Sequence, residues 1–329
     1  MSTIQTVTGP TTPERLGRTL MHEHLQIGYP GYENDWLRPG PSREEMFARC
    51  VDRIEEIKAL GVGALIDPCP NDLGRDVEFM AKVAQRTRFT IICATGLYKE
   101  EEGSNAYWKF RANFGDVSGA IAELFARELG EGIGSTGVRA GIIKVGTGHQ
   151  TLTAYEKAVF AGAARAAVET GAPITTHTDQ GRFGDDQQAF LTERGVPAHR
   201  IVIGHSCGTS DHAYHLRIAE RGSYLGFDRF GLDMIQPDAE RVASLLRLVR
   251  AGRGRQIVVS HDTVWCWRGE PIPSPELQVQ MEKIWNPTHF LTRIVPRLRE
   301  GGASDADIQA LLVDNPRRFF AGEAIPSAS

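Results

Sequence analysis

No stretch of this 329-residue chain is long and apolar enough to cross a membrane, which takes about 18 consecutive apolar residues. The N-terminus also lacks the basic segment followed by an apolar stretch that marks a signal peptide. Charge of one sign is not in excess, because 37 Lys and Arg face 41 Asp and Glu, for a formal net charge of −4. That balance provides no electrostatic footprint for nucleic acid or an anionic membrane. We therefore expect a cytoplasmic protein that has neither of these partners.

Cysteine is scarce and is not arranged in pairs. No CxxC motif is present, and the five cysteines are widely separated: Cys50, Cys69, Cys93, Cys207 and Cys266. An odd number of separated cysteines gives neither a disulfide framework nor a zinc-binding cysteine motif. We expect reduced thiols, most of them in the core, in a reducing compartment.

Short apolar runs alternate along the chain with amphipathic segments, in about eight strand-then-helix units. Near-continuous apolar strands are typical of a parallel sheet covered on both faces, and eight such units close a (β/α)8 barrel. The alternative, a doubly wound open sheet, would place a glycine-rich phosphate turn after the first strand, where this chain reads HEH. We predict an α/β protein with a single (β/α)8 TIM barrel over residues 1–329, of which 321–329 form a disordered tail.

Capping residues mark helix boundaries in the sequence. Ser42 with Glu45 forms a capping box, and Gly61 suits the C-terminal end of the same helix. Further helices are predicted over residues 116–130, 154–170, 185–194, 211–221 and 238–250.

Residue types that bind transition metals recur at the ends of the predicted strands. They are His22 and His24 in TLMHEH, His177 in PITTH, His205 in IVIGH and Asp262 in IVVSHD. In a barrel these strand ends meet at the C-terminal face, where barrel enzymes build their active sites. Taken singly, a histidine here is as often a hydrogen-bonded core residue, and Asp262 is as often a helix N-cap. Their recurrence at successive strand ends predicts a metal site instead.

Strand alternation indicates which of these side chains face the barrel interior. Residues two apart in a strand share a face, so His22 and His24 are predicted to point inward and Glu23 outward. By the same rule His261 points away from the metal site. Imidazole and carboxylate ligands suit zinc, manganese, cobalt or iron.

Lys144 ends the apolar run AGIIK and so joins the metal-binding side chains at the same face. A protonated amine there would be repelled by metal ions by several kcal/mol. One interpretation pairs this lysine with a carboxylate, as in barrels that form Schiff bases. The other is an amine that has taken up CO₂, giving a carbamate anion that bridges two metal ions around an activated water.

The chain resembles the phosphotriesterase family of the amidohydrolase superfamily over nearly its whole length, from TVTGP near residue 6 to DNPRRFF at 314–320. The motifs between these ends follow the family's order and spacing: TLMHEHL, DLGRDVEFM, ATGLY, GIIKVG, PITTHT, IGHSC, GFDRFGLD and VVSHD. The resemblance implies a homodimeric hydrolase with two metal ions. It assigns His22, His24 and Asp262 to a buried metal, His177 and His205 to a more exposed one, and carboxylated Lys144 and a hydroxide to the bridge between them.

Two positions separate the branches of this family. Phosphotriesterases proper carry tryptophan where this chain has Tyr98, whereas the lactonase branch carries tyrosine there and an arginine at the position of Arg229. The chain is similar to the lactonases at both. In that branch the tyrosine lies beside the exposed metal and the lactone carbonyl, and the arginine borders the substrate channel. The structural alternatives are a rim-packing aromatic for Tyr98 and a salt bridge to Asp228 or Asp233 for Arg229.

The loop after Asp262, TVWCWRGEPIPSPELQ, departs from the lactonase pattern. Trp265 and Trp267, with Met234 on the preceding loop, are predicted to line an apolar channel for an acyl chain. The alternative is packing of this loop against the barrel. The departure affects the expected substrate range more than the expected reaction.

The predicted function is the opening of lactones, N-acyl homoserine lactones above all, as in quorum quenching, by a metal-bridging hydroxide. Asp262 would accept the proton and pass it to the departing alkoxide, through His205 or water, while Tyr98 would hydrogen-bond the developing oxyanion. The expected cofactors are two divalent ions, zinc or else cobalt, manganese or iron, with Lys144 carboxylated by CO₂. Phosphotriester hydrolysis would be a weaker side activity. The alternatives are phosphotriesterase as the main activity, an amidase or deaminase on the same metal cage, and a catalytically idle binding barrel.

Overall fold

The computed structural model describes residues 2–149, 152–272 and 274–326. Its strands are β1 (Ile4–Thr6), β2 (Gly9–Thr11), β3 (Arg18–Leu20), β4 (Val62–Asp67), β5 (Thr90–Leu97), β6 (Ile142–Gly146), β7 (Ile174–His177), β8 (Ile201–Ile203), β9 (Tyr224–Phe227) and β10 (Ile257–Val259). β1 and β2 pair as an antiparallel hairpin. β3 to β10 form one parallel sheet in which strands that follow each other in the chain are neighbours.

This sheet closes on itself between its first and last strands. Met21 N donates to the carbonyl oxygen of Val259 at 3.1 Å, and Asp262 N donates to the carbonyl oxygen of His22 at 2.9 Å. Eight parallel strands closed in this way, with helices between them, make a (β/α)8 barrel. The predicted fold class is therefore confirmed, and the open doubly wound sheet is excluded.

The helices cover the outside of the barrel. They are α1 (Arg43–Ala59), α2 (Val77–Thr87), α3 (Asn105–Arg111), α4 (Val117–Gly130), α5 (Ala154–Thr170), α6 (Gly184–Thr192), α7 (His212–Glu220), α8 (Asp238–Arg250), α9 (Pro275–Ile284), α10 (Val295–Glu300), α11 (Asp305–Gln309) and α12 (Asn315–Ala321). Short π-helical segments, Phe290–Ile294 and Ala310–Asp314, lead into α10 and α12. The predicted bounds of α5 and α8 are confirmed, and those of α4, α6 and α7 differ from the structure by one or two residues at an end.

Both predicted capping signals of α1 are present. Ser42 Oγ accepts from Glu45 N at 3.2 Å, and the Glu45 carboxylate accepts from Ser42 N at 2.8 Å. Gly61 lies just beyond the helix at φ +80°, a left-handed conformation that glycine adopts without the steric cost of a Cβ atom. The positions at which this helix begins and ends therefore follow from the local sequence.

Alternate residues of a strand pack on opposite sides of the barrel wall. In β6, Ile142 belongs to the apolar cluster inside the barrel, whereas Ile143 belongs to the layer between strands and helices. Lys144 lies two residues beyond Ile142 and therefore points inward as well. At the other end of the interior, Phe319 of α12 packs on Tyr224 with ring centroids 5.5 Å apart. The barrel interior is thus apolar toward the amino end of the strands and polar at their carboxyl end, where Lys144 lies.

The first residues of the predicted disordered tail, 321–325, make defined contacts with the rest of the protein. α12 ends at Ala321, Glu323 forms an ion pair with Arg317, and Ile325 packs against the interior cluster. Residues 327–329, also included in that prediction, lie outside the described residues. The packing of Ile325 is a tertiary contact, and it could not be predicted from the polar, proline-containing sequence at this end of the chain.

The cysteines occupy the interior, in line with their predicted core positions. All five are free thiols and all five are buried. Among the residues described, no helix combines the length and the apolar character needed to cross a membrane.

Candidate metal centre

The six side chains predicted to hold metal lie together at the carboxyl end of the barrel. They line one cavity of about 170 Å³: His22, His24, Lys144, His177, His205 and Asp262. Asp262 Oδ1 lies 3.1 Å from His24 Nε2 and 3.3 Å from His22 Nε2. The rings of His177 and His205 have their centroids 4.6 Å apart. The structure therefore brings the whole predicted set to one place.

Two of these side chains depend on an unusual backbone conformation. His205 follows β8 with φ +58°, and Asp262 follows β10 with φ +55°. Residues other than glycine adopt this left-handed conformation rarely, at a cost on the order of 1 kcal/mol. At both positions the chain leaves the strand direction at the residue whose side chain enters the cavity. Backbone strain of this kind is concentrated at functional sites.

Glu23 and His261 face away from the cavity, as strand alternation predicts. Glu23 Oε1 accepts hydrogen bonds from His261 Nδ1 at 2.6 Å and from Ser260 Oγ at 2.7 Å. His261 Nε2 in turn accepts from Phe290 N at 2.8 Å. This buried network ties together the ends of β3 and β10, which carry three of the predicted ligands.

The nitrogen atoms that face the cavity fit a divalent metal. His205 Nε2 is buried and has no hydrogen-bond partner in the described part of the chain. His22, His24 and Asp262 each place one ligand atom within 4.8 Å of the others. Burial lowers the pKa of His205 well below its usual value and that of His177 to about 3, so both rings stay neutral and able to bind. Imidazoles and a carboxylate at this spacing are a donor set for a divalent transition metal.

Lys144 is buried beside this donor set. Its Nζ lies 3.0 Å from His22 Nε2 and 3.5 Å from the carbonyl oxygen of Thr176, and within the described ranges no carboxylate forms an ion pair with it. Burial disfavours the ammonium form and lowers the pKa of Lys144 to about 8. The lysine–carboxylate pair considered from the sequence is therefore not what the structure contains. An amine with this pKa is partly uncharged near neutral pH.

Asp228 determines which ring nitrogen two of the histidines present. Its carboxylate lies 3.2 Å from His22 Nδ1 and 2.9 Å from His205 Nδ1. Because a carboxylate only accepts, each Nδ1 carries the hydrogen and each Nε2 is left for the cavity. Burial acts to raise the pKa of Asp228, but the hydrogen bond from His22 outweighs it and lowers that pKa. Asp228 is thus an anion that orients both rings.

Tyr98 lies in the cavity with its hydroxyl 3.2 Å from His177 Nδ1. Burial raises the pKa of this phenol well above its usual value, so the hydroxyl stays protonated and can donate a hydrogen bond. The ring also packs edge-on against His177, with centroids 5.0 Å apart. Tyr98 therefore both packs at the rim and offers a donor beside the ligand set.

Arg229 is paired with the predicted ligand Asp262. Its Nε donates to Asp262 Oδ2 at 2.8 Å, instead of forming the salt bridge to Asp228 or Asp233 considered from the sequence. Burial acts to raise the pKa of Asp262, but the neighbouring His205 and Arg229 outweigh it and hold that pKa well below its usual range. The carboxylate is therefore ionised, with one oxygen held by the guanidinium.

Three aromatic side chains form the wall of the cavity away from the ligands. Trp267 is one of them and stacks on Tyr29, with centroids 6.3 Å apart and an interplanar angle of 13°. Trp285, which follows α9, is the third, and its indole Nε1 donates to the carbonyl oxygen of His261 at 2.9 Å. The prediction that Trp267 faces the cavity agrees with this arrangement.

Trp265 and Met234 do not line this cavity, contrary to the sequence-based prediction. Trp265 is 2% exposed, and its indole Nε1 donates to Thr263 Oγ1 at 3.0 Å. Val264 faces the cavity, so in extended chain the next residue turns to the opposite side. Met234 is 67% exposed on its loop, away from the cavity. For Trp265, packing of the loop against the barrel is the correct interpretation.

A comparison with models of known protein families identifies the family of this chain. The model of the phosphotriesterase family matches residues 2–320. The chain belongs to the phosphotriesterase family. The resemblance seen in the motifs is confirmed, and the chain is a metal-dependent hydrolase of this family.

Members of the phosphotriesterase family with similar sequences align over nearly their whole length. A phosphotriesterase homology protein from Mycobacterium tuberculosis is 35% identical over 97% of this chain and 98% of its own. An organophosphorus hydrolase from Deinococcus radiodurans is 40% identical over 97% of each chain, with a TM-score of 0.93. A structure described as organophosphate hydrolysis engineered from a weak promiscuous lactonase template is 39% identical over 97% of this chain and 99% of that chain, also with a TM-score of 0.93.

Several residues of the site were not singled out from the sequence. Asp228 is the first residue after β9, so the strand-end rule that gave the candidate metal ligands could also have indicated Asp228. Asp179, two residues beyond His177 in the motif HTD, contacts that histidine at 2.6 Å and carries a similar signal. Tyr29 and Trp285 lie in loops, where no periodic pattern points to the cavity.

Proposed function

We propose that this chain is a binuclear metal lactonase that acts on N-acyl homoserine lactones or other aliphatic lactones. The observation that carries the proposal is the position of Tyr98 and Arg229, the two residues that mark the lactonase branch, in one cavity with the complete ligand set. The similarity over nearly the full length of both chains to a structure described as engineered from a weak promiscuous lactonase template supports it.

We assign the metal ligands as the resemblance implies. His22, His24 and Asp262 would hold one ion, His177 and His205 the other, and carboxylated Lys144 would join the two. When bound, two divalent ions, with zinc the expected metal, supply an activated water and polarise the substrate oxygen. The orphan Nε2 atom of His205 and the donor chemistry of the cavity support this assignment.

The buried, unpaired state of Lys144 supports its carboxylation. An uncharged amine has a lone pair that adds to the carbon of CO₂, and loss of one proton then leaves a carbamate anion on Nζ. A lysine that remained protonated would carry a buried charge without a carboxylate partner, which is unfavourable. Carboxylation replaces that positive charge with a negative one beside four imidazole rings.

Asp262 is the residue placed to accept a proton in the reaction. Its ionised carboxylate takes the proton of the attacking water and returns it to the departing alkoxide, either directly or through a water molecule. Arg229 holds Asp262 Oδ2 at 2.8 Å and so limits rotation of the carboxylate. The hydroxyl of Tyr98 donates toward the oxygen on which negative charge develops. The wall formed by Tyr29, Trp267 and Trp285 provides aromatic surface against which the substrate can pack.

A comparison of substrates tests the proposed function. We expect kcat/KM for an N-acyl homoserine lactone to exceed that for the phosphotriester paraoxon by at least about 10²-fold, roughly 2.7 kcal/mol of transition-state discrimination. Both rates are to be measured on one preparation of known metal content.

Phosphotriester hydrolysis is the second candidate function, because the Deinococcus radiodurans relative is an organophosphorus hydrolase. The same attacking water can add to phosphorus. A preference for paraoxon, or equal rates on both substrates, would reverse the order of the two candidates. A simple N-acyl amide cleaved faster than either would favour the amidase alternative.

The two loop tryptophans provide variants with opposite expected effects on catalysis and stability. Trp267→Ala removes apolar contact with the substrate, and we expect KM for a long-chain lactone to rise by about 5- to 150-fold, equivalent to roughly 1–3 kcal/mol. Trp265→Phe is expected to leave kcat/KM within about threefold and to lower Tm by a few degrees, because that ring is packed away from the cavity. Steady-state kinetics and thermal unfolding of both variants check this. Equal kinetic effects would contradict the assigned orientations.

A further inference from the structure

His177 presents a different ring nitrogen to the cavity from the other histidines described above. Its Nε2 lies 2.6 Å from Asp179 Oδ1, and its Nδ1 lies 3.2 Å from the hydroxyl of Tyr98 inside the cavity. His22 and His205 have the opposite arrangement, with Nδ1 against a carboxylate. An ion held by His177 therefore has to bind through Nδ1.

Asp179 is itself held by a buried cation. Lys99 Nζ donates to Asp179 Oδ1 at 3.0 Å and to Oδ2 at 2.9 Å, and Lys99 is only 4% exposed. The outer side of the group is formed by Glu102, whose Oε1 lies 2.9 Å from Lys99 Nζ, and by His149, whose Nδ1 lies 3.3 Å from Asp179 Oδ2. Both outer partners are largely exposed, whereas the contacts with His177 and Lys99 are buried.

Asp179 and Lys99 have separate physical roles in this series of hydrogen bonds. A carboxylate accepts but does not donate, so Asp179 requires the hydrogen of the neutral imidazole to be on Nε2 and leaves the Nδ1 lone pair free. Two hydrogen bonds from Lys99 occupy both carboxylate oxygens. They keep Asp179 on the far side of the ring and balance its charge, so that the carboxylate does not become a competing ligand. Gln187 Nε2 also donates to the carbonyl oxygen of His177 at 2.8 Å, which fixes the backbone that carries the ring.

We propose that Asp179, held by Lys99, is the positioning residue that presents Nδ1 of His177 to the second metal ion. The inference rests on the proposed function only for the assignment of two ions to the cavity. It predicts that loss of Asp179 weakens one ion selectively, because the other is held by His22, His24 and Asp262, which Asp179 does not contact.

The test is a titration of metal-free protein with Co²⁺, followed by visible absorption and equilibrium dialysis. The parent chain is expected to bind two ions. Asp179→Ala is expected to weaken one of the two ions by about 10- to 100-fold, as loss of a carboxylate behind a ligating histidine does, and to leave the other within about threefold. Asp179→Asn keeps an oxygen acceptor for Nε2 in the same volume and is expected to lose less. It also provides a variant of unchanged shape if the alanine variant folds poorly.

Variants at Lys99 and Glu102 supply the controls. Lys99→Met is expected to weaken the same ion, and Lys99→Arg, which restores a cation, to recover the parent affinity within about threefold. Glu102→Gln removes only the exposed carboxylate and is expected to change neither affinity. Parent-like binding of both ions by Asp179→Ala, or equal weakening of the two, would overturn the inference while leaving the metal pair intact. A parent chain that binds a single ion would instead refute the proposed binuclear centre, and the inference with it.

Discussion

Replacing Lys144 with alanine is expected to remove at least one of two metal ions and to lower kcat/KM for the lactone by about 10³-fold or more. The reason is that Lys144 is the only residue proposed to join both ions, and a metal ion contributes several kcal/mol to transition-state stabilisation, where about 4 kcal/mol equals 10³-fold. Metal content by mass spectrometry and steady-state kinetics on the same sample measure both effects. The two losses should occur together, because the metal pair is what the lysine supports.

Lys157→Ala is the matched control for this variant, because Lys157 is exposed on α5 and makes no contact with the cavity. It should keep both ions and the parent rate. Lys144→Glu places a shorter carboxylate at the same strand end and should recover part of the metal content. A Lys144→Ala protein that keeps two ions would show that the lysine does not bridge them.

Asp262→Asn is expected to have the second largest effect, a decrease in kcat of about 10³-fold. The substitution keeps the size of the side chain but removes the charge that accepts the proton and that contacts His24 and Arg229. It also leaves the Arg229 guanidinium buried without a carboxylate, which costs about 3 kcal/mol in comparable cases. We therefore expect a lower Tm for the metal-free variant together with the lower rate.

A double substitution separates these two effects of Asp262. Adding Arg229→Met to Asp262→Asn removes the unpaired cation and should restore much of the stability, as partners in a double-mutant cycle do, without restoring the rate. Recovery of activity in the double variant would mean that Asp262 acts only as the partner of Arg229. The assigned proton transfer would then be wrong.

The barrel and the grouping of its candidate metal ligands are predictable because both follow simple periodic rules. Parallel strands buried on two faces read as apolar runs, and their carboxyl ends meet at one face whatever the loops do. Thus His177 and His205, far apart from His22 in the chain, could be placed together before any contact was known. The bounds of α8 and the capping box of α1 depend on a few neighbouring residues, which is why they were also predictable.

Side-chain direction in the loops was not predictable, because contacts between distant segments decide it. Trp265 turns away from the cavity toward Thr263, although its neighbour Trp267 faces the cavity, and the composition of the loop is the same for both. Arg229 pairs with Asp262 instead of the adjacent Asp228, since Asp228 already accepts hydrogen bonds from two histidines. The residues can be read from the sequence, but which side chains they contact cannot.

The proposed carbamate on Lys144 is the central claim, and ¹³C NMR of the intact protein loaded with metal in ¹³C-labelled bicarbonate tests it most directly. We expect one carbamate carbon and two metal ions per chain, with the carbamate signal absent from Lys144→Ala prepared in the same way. Two bound ions without a carbamate signal, or a single ion per chain, would contradict the proposed centre.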